Sequence, residues 1–184
     1  MVITDEVRHA LDVTLNWASL LEVEVDAASR EAKVTFQILS LPADRRVLFL
    51  FQNVGRVAAS LRIGIWSNPA APVVPFQLEE LCEIVRTFGR LPVVGGEFWD
   101  VPQNDRWKDR TSLLWEAGES GRSHSISLLQ RHSNSTLDLY MWFDSFEIRD
   151  PAGIPILLTD FCADGPRYWE AYDRACIQAQ KKDG

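Results

Sequence analysis

Two spacings of apolar residues organise the chain. From Leu21 the period is two: Leu21, Val23 and Val25 alternate with Glu22, Glu24 and Asp26. After Ala27-Ala28-Ser29-Arg30 it resumes, with Ala32, Val34, Phe36 and Ile38 set against Lys33, Thr35 and Gln37. Alternation of this kind predicts an antiparallel hairpin with one wet face. Ser40 to Asp44 breaks the run. Arg46 to Phe51 is then apolar on both faces, which predicts a central strand covered on each side. Val57, Ala59, Leu61, Ile63 and Ile65 give a further alternating strand, and the Pro-rich stretch from Pro69 to Pro75 reads as an extended connector.

Helical spacing is clearest at Leu78, Leu81, Cys82, Val85 and Phe88, with Gly89 at the C-terminal cap position. Thr4, followed by Asp5 and Glu6, suits an N-cap for a short helix reaching about Leu15. Residues 89–110 have no sustained period. Strands are predicted again at 111–117 and 122–132, and then at Leu137, Leu139, Met141 and Phe143. The apolar phase slips by one residue after Asp144-Ser145, to Phe146 and Ile148, and a β-bulge there would keep all six side chains on one core. A turn at Asp150 to Gly153 leads to a last strand at about Ile154 to Phe161. A closing helix is expected from Gly165-Pro166, with Asp164 or Gly165 as cap, a Glu170/Arg174 pair in support, and Trp169, Tyr172 and Cys176 on its apolar stripe.

About eight strands joined mainly as hairpins, with two or three short packed helices, define an α+β fold. It is mainly antiparallel, a sandwich or strongly curled sheet, in a single domain spanning 1–184. At 184 residues and 46% hydrophobic composition, the chain can bury a core without metal or disulfide. The start has no basic and apolar leader, and no apolar run is long enough to span a bilayer, so membrane association is not expected. Cys82, Cys162 and Cys176 are odd in number and far apart, as suits a reducing, cytoplasmic setting.

The formal charge of −7 argues against nucleic acid, although residues 31–76 carry five bases against two acids, including Arg45, Arg46, Arg56 and Arg62. No cofactor is implied. Gly95-Gly96 precedes Glu97 instead of a Lys-Ser or a helix, and so is not a phosphate cradle. Of the histidines, His124 and His132 share a strand face but lie some 26 Å apart at about 3.3 Å per residue, too far to hold one metal ion. Cys162 stands where a helix dipole could lower its pKa, and Asp160/Asp164 or Asp138/Asp144 could pair as carboxylates. None of these forms a catalytic constellation by spacing.

What remains is a loop in which Phe98, Trp99 and Trp107 occur among Asp100, Asp105, Arg106, Lys108, Asp109 and Arg110. Tryptophan with arginine is the composition of interface anchors, while tryptophans folded inward to cap a sheet are the alternative. The leading expectation is a noncatalytic protein-binding module, similar in composition to inhibitors, adaptors and immunity-type proteins. Phe98, Trp99, Asp100, Asp105, Arg106 and Trp107 would be its contact residues, and its acidic surface would attract a basic protein partner. The alternative is a small-molecule-binding or hydrolytic domain with a pocket between sheet and helix, in which Cys162, Asp160, Asp164 and His124 converge. Self-association into a homodimer is a third reading.

Overall fold

The computed structural model describes residues 3–64, 71–89, 91–99, 110–118 and 120–180, with only the backbone at 94–96, 99 and 179. Two five-stranded antiparallel sheets face each other and three helices pack around them. The first sheet has the order β1 (Ser19–Asp26), β2 (Glu31–Ile38), β3 (Arg45–Gln52), β9 (Ser145–Arg149), β10 (Pro155–Ile156). The second has the order β5 (Val93–Trp99), β7 (His124–His132), β8 (Ser135–Phe143), β4 (Arg56–Ile63), β6 (Leu113–Glu116).

The helices are α1 (Asp5–Leu15), α2 (Leu81–Thr87, entered through a 3₁₀ turn at Leu78–Glu80) and α3 (Leu158–Gln180). The Thr4 hydroxyl accepts the Val7 amide at 3.3 Å, capping α1 as its sequence implies. Glu80 accepts the Gln77 amide at 2.7 Å ahead of α2, and Gly89, at φ 66°, ends that helix in the left-handed region.

The core between the sheets is built on phenylalanine. Phe49, fully buried at the centre of the first sheet, lies 5.4 Å from Phe36, 5.4 Å from Phe146 and 5.3 Å from Phe161, and Phe51 meets Phe143 at 4.6 Å. Edge and offset contacts of this kind add to the area term of burial. On the far face of the second sheet Ala58, Tyr140 and Trp142 form a separate buried cluster, with the Arg56 guanidinium 4.7 Å from the Trp142 ring.

Four features depart from the sequence expectations. Within 89–110, residues Val93–Trp99 form a strand, β5, paired with β7. Its register shifts between Val93 (opposite Gln130) and Gly96 (opposite Leu128), so one extra residue is accommodated. That shift puts Val93 and Phe98 on the same buried side despite their odd spacing, which is why no period of two survives.

The phase slip after Phe143 is a change of sheet, not a bulge. β8 belongs to the second sheet and β9 to the first, and Asp144 is the single residue between them. Leu137, Leu139, Met141, Phe143, Phe146 and Ile148 do face one core, from opposite sides. Asn53, the Ser123 hydroxyl at 2.7 Å and the Ser123 amide at 3.2 Å all donate to Asp144 at this crossing. Burial pushes the Asp144 carboxyl up, but these bonds outweigh it and hold the group below the usual carboxylate range.

The last strand is only Pro155–Ile156, and α3 begins at Leu158, with Pro166 inside it. Gly165 is there for contact: a Cβ would sit 2.6 Å from Thr14 Cα of α1. Asp164, expected as a cap, pairs with Arg45 instead, and Arg174 bonds the Glu170 carbonyl at 3.1 Å, not its carboxylate.

Lastly, β3 is central but covered on one face only. Val47, Phe49 and Phe51 are buried, while Leu48 and Leu50 look outward and are half-buried.

Candidate functional site

The outward face of the first sheet sets charged side chains around two half-buried leucines, Leu48 and Leu50. Its register sets Glu24 beside Lys33, Lys33 beside Leu50, and Leu50 beside Glu147, one row across four strands. A second row runs Glu22, Thr35, Leu48, Arg149. Side chains on a strand alternate between faces, so the polar half of the β1–β2 hairpin and the outward leucines of β3 share one surface.

This surface carries a groove of about 420 Å³, whose lining includes four carboxylates, Glu24, Asp26, Glu31 and Glu147, and two cations, Lys33 and Arg149. Lys33 Nζ lies 3.8 Å from Glu24, with both side chains about half exposed. Such a pair is worth little and is readily exchanged. Glu147 accepts from Arg149 at 2.8 Å and from Gln52 at 3.3 Å. Asp26 closes the hairpin, accepting the Ala28 amide at 2.8 Å and the Ser29 amide at 3.2 Å. Bonds from the Ser29 side chain, then from the Ser29 and Ala28 amides, hold its carboxyl below the usual value, so it stays charged.

Beside the groove, Glu22 and Glu24 approach the Cys82 thiol, all within 4.8 Å of one another. The Arg86 guanidinium of α2 binds Glu22 and Lys33 pairs with Glu24, so the negative charge is already compensated. Burial first, and the two glutamates, push the Cys82 thiol up, against the opposing effect of Arg86. The trio reads as an anchor of α2 on β1.

Of the residues singled out in the sequence, the described ones are placed as follows. Phe98 is a core side chain, 5.5 Å from Phe146. Trp99 is the last residue of β5, opposite Ser125. Asp100, Asp105, Arg106 and Trp107 lie outside the described residues. Cys162 is half-buried and its thiol is pushed up to about 11 by burial, in place of the lowering that a helix dipole could have given. It lies in the second turn of α3, and among the described residues no charged group contributes to its shift. Asp164 is taken by Arg45, Asp160 is exposed in the first turn, and His124 is buried with its ring 5.9 Å from Phe143. Asp138 pairs with Arg62 at 2.8 Å. Comparison with protein families, with curated proteins and with solved structures gives no match. No described helix is long and apolar enough to cross a membrane.

The sequence carries one signal of this surface. A strand apolar on both faces next to a hairpin with one wet face is a contradiction, because neighbouring strands share their faces. Leu48 and Leu50 had to be either covered by another element or left on a polar surface, and they are left.

Proposed function

We propose that the protein is a noncatalytic protein-binding module of the inhibitor, adaptor or immunity type, and that the outward face of its first sheet is the contact surface. The observation that supports this reading is the pair of half-buried leucines, Leu48 and Leu50, on an outward face edged by an excess of carboxylates. Apolar residues ringed by polar ones are the anatomy of an interface. Four acids against two cations leave the groove at a net charge of −2, in keeping with the −7 of the whole chain, which favours a basic partner and a salt-dependent encounter. The segment holding Trp99, Asp100, Asp105, Arg106 and Trp107 is a second contact element in this reading, on its composition.

Cross-linking with mass spectrometry tests it, using the full chain in extracts of its native host. A true partner gives cross-links to β1, β2, β3 or β9. It is reduced at least about tenfold, the equivalent of roughly 1.4 kcal/mol, by combined Glu24→Lys and Glu31→Lys, and is retained by Asp173→Lys on the exposed side of α3. A partner that ignores the groove reversal and is lost with the α3 change would refute the assignment.

A further inference from the structure

We infer that the outward face of the first sheet is self-complementary and pairs with a second copy of this chain; the inference goes beyond the partner reading above and shares only its surface. The registers set Glu24, Lys33, Leu50 and Glu147 in one row across the strands, and Glu22, Thr35, Leu48 and Arg149 in the next, about 6.6 Å along. The acidic groove lies on the side of the first row, towards the β1–β2 turn. A second hollow of about 300 Å³, where Arg46 and Arg86 outnumber Glu22, lies on the side of the other row. A two-fold axis in the plane of the face, running across the strands between the two rows, lays each strand over its own copy in the reverse direction. The Leu50 row of each copy then meets the Leu48 row of the other. On β3, Leu50 covers Leu48 of the second copy and Leu48 covers its Leu50. On β9, Glu147 meets Arg149 of the second copy and Arg149 meets its Glu147, so the 2.8 Å pair within each copy joins a ring of four alternating charges. The acidic groove comes to lie over the hollow with two arginines. On β1, Glu24 comes opposite Glu22, but Lys33 and Arg86 already compensate these two. An axis along β3 is disfavoured, because it lays the acidic groove on itself and Arg46 on Arg46. Taken together the two hollows hold five carboxylates (Glu22, Glu24, Asp26, Glu31, Glu147) and four cations (Lys33, Arg46, Arg86, Arg149), a net −1, so the face is far closer to neutral than the −7 of the chain.

The test is sedimentation equilibrium of the full chain over a dilution series, at about 0.15 M salt, where charge is screened beyond about 8 Å. A monomer–dimer equilibrium is expected. Glu147→Arg and Arg149→Glu should each weaken it at least about tenfold, because each sets like charges opposite one another at both symmetry-related contacts. Exchanging the two charges in one chain should restore the dimer to within about threefold of the parent, and so should an equimolar mixture of the two single variants. Restoration in the mixture also reports that each single variant is folded. Leu50→Asp should abolish the dimer, and Asp173→Lys on the exposed side of α3 should leave it unchanged. A monomer at every dilution, a dimer indifferent to either single change, or a loss that the exchange does not restore would overturn the inference. A monomer throughout, with a cross-linked partner still lost on groove reversal, refutes the self-pairing alone. A dimer that behaves as stated, with partner cross-links that avoid β1, β2, β3 and β9, refutes the partner reading alone.

Discussion

Asp12 offers a perturbation whose size follows from its surroundings. It lies on the face of α1 that meets β5 and accepts the Phe98 amide at 3.4 Å. Its pKa is raised from 3.8 to about 6: burial dominates, the Phe98 amide opposes it, Glu97 adds to it, and His9 and Arg8 oppose it. Because the native value exceeds the unfolded one, the ionised carboxylate disfavours the fold. The penalty is absent below about pH 3.8, grows as pH rises towards 6 and is complete above it. Two pKa units correspond to about 3 kcal/mol, and screening by solvent at this partly exposed side chain reduces that to roughly 1–2 kcal/mol. Asp12→Asn retains an oxygen to accept the Phe98 amide and removes the charge. Urea unfolding at pH 7.5 should show the variant more stable by about 1–2 kcal/mol, with Tm higher by roughly 2–8 °C, and the gain should vanish near pH 3.5. A variant no more stable than the parent at pH 7.5, or one whose difference does not change with pH, would refute the account of α1 docking on β5.

Two further outcomes follow from packing and burial. Gly165→Ala places a methyl 2.6 Å from Thr14 Cα and 2.8 Å from Thr14 N; because backbone cannot swing aside, calorimetry should show a loss of about 1–3 kcal/mol, and an unchanged Tm would mean that α1 and α3 are not in contact there. The Cys162 thiol, raised from 9.0 to about 11, should react with iodoacetamide at pH 8 roughly a hundredfold more slowly in the native protein than in urea, since the thiolate is the nucleophile; equal rates would contradict its burial.

How much of this was legible depended on whether a residue's role was local. The Thr4 cap, the β1–β2 hairpin and the Gly89 terminus are each settled by neighbours within a few positions, and the pattern shows them. Gly165 and Asp164 defeat a local pattern because their partners, Thr14 and Arg45, are remote in sequence. A Gly-Pro pair after an acid looks like the start of a helix, and nothing nearby signals that the glycine serves a contact with another helix. The phase change at Asp144 was visible, but a bulge and a change of sheet produce the same one-residue slip. For the candidate site, Glu22, Glu24, Asp26, Leu48 and Leu50 read as strand residues from the pattern; only the register, which sets Leu50 between Lys33 and Glu147, makes them one surface.

The second sheet, β4 to β8, is one uninterrupted length of chain inserted between β3 and β9 of the first. The partner strand that completes the groove therefore emerges from the ribosome only after the whole insert, and Leu48 waits for Arg149. During synthesis the edge of β3 stays open and prone to mispairing, as long-range β contacts generally are. A nascent or truncated chain ending before Ser145 lacks Glu147 and Arg149, so its groove has no wall on the β9 side and Leu48 and Leu50 stand at an open sheet edge.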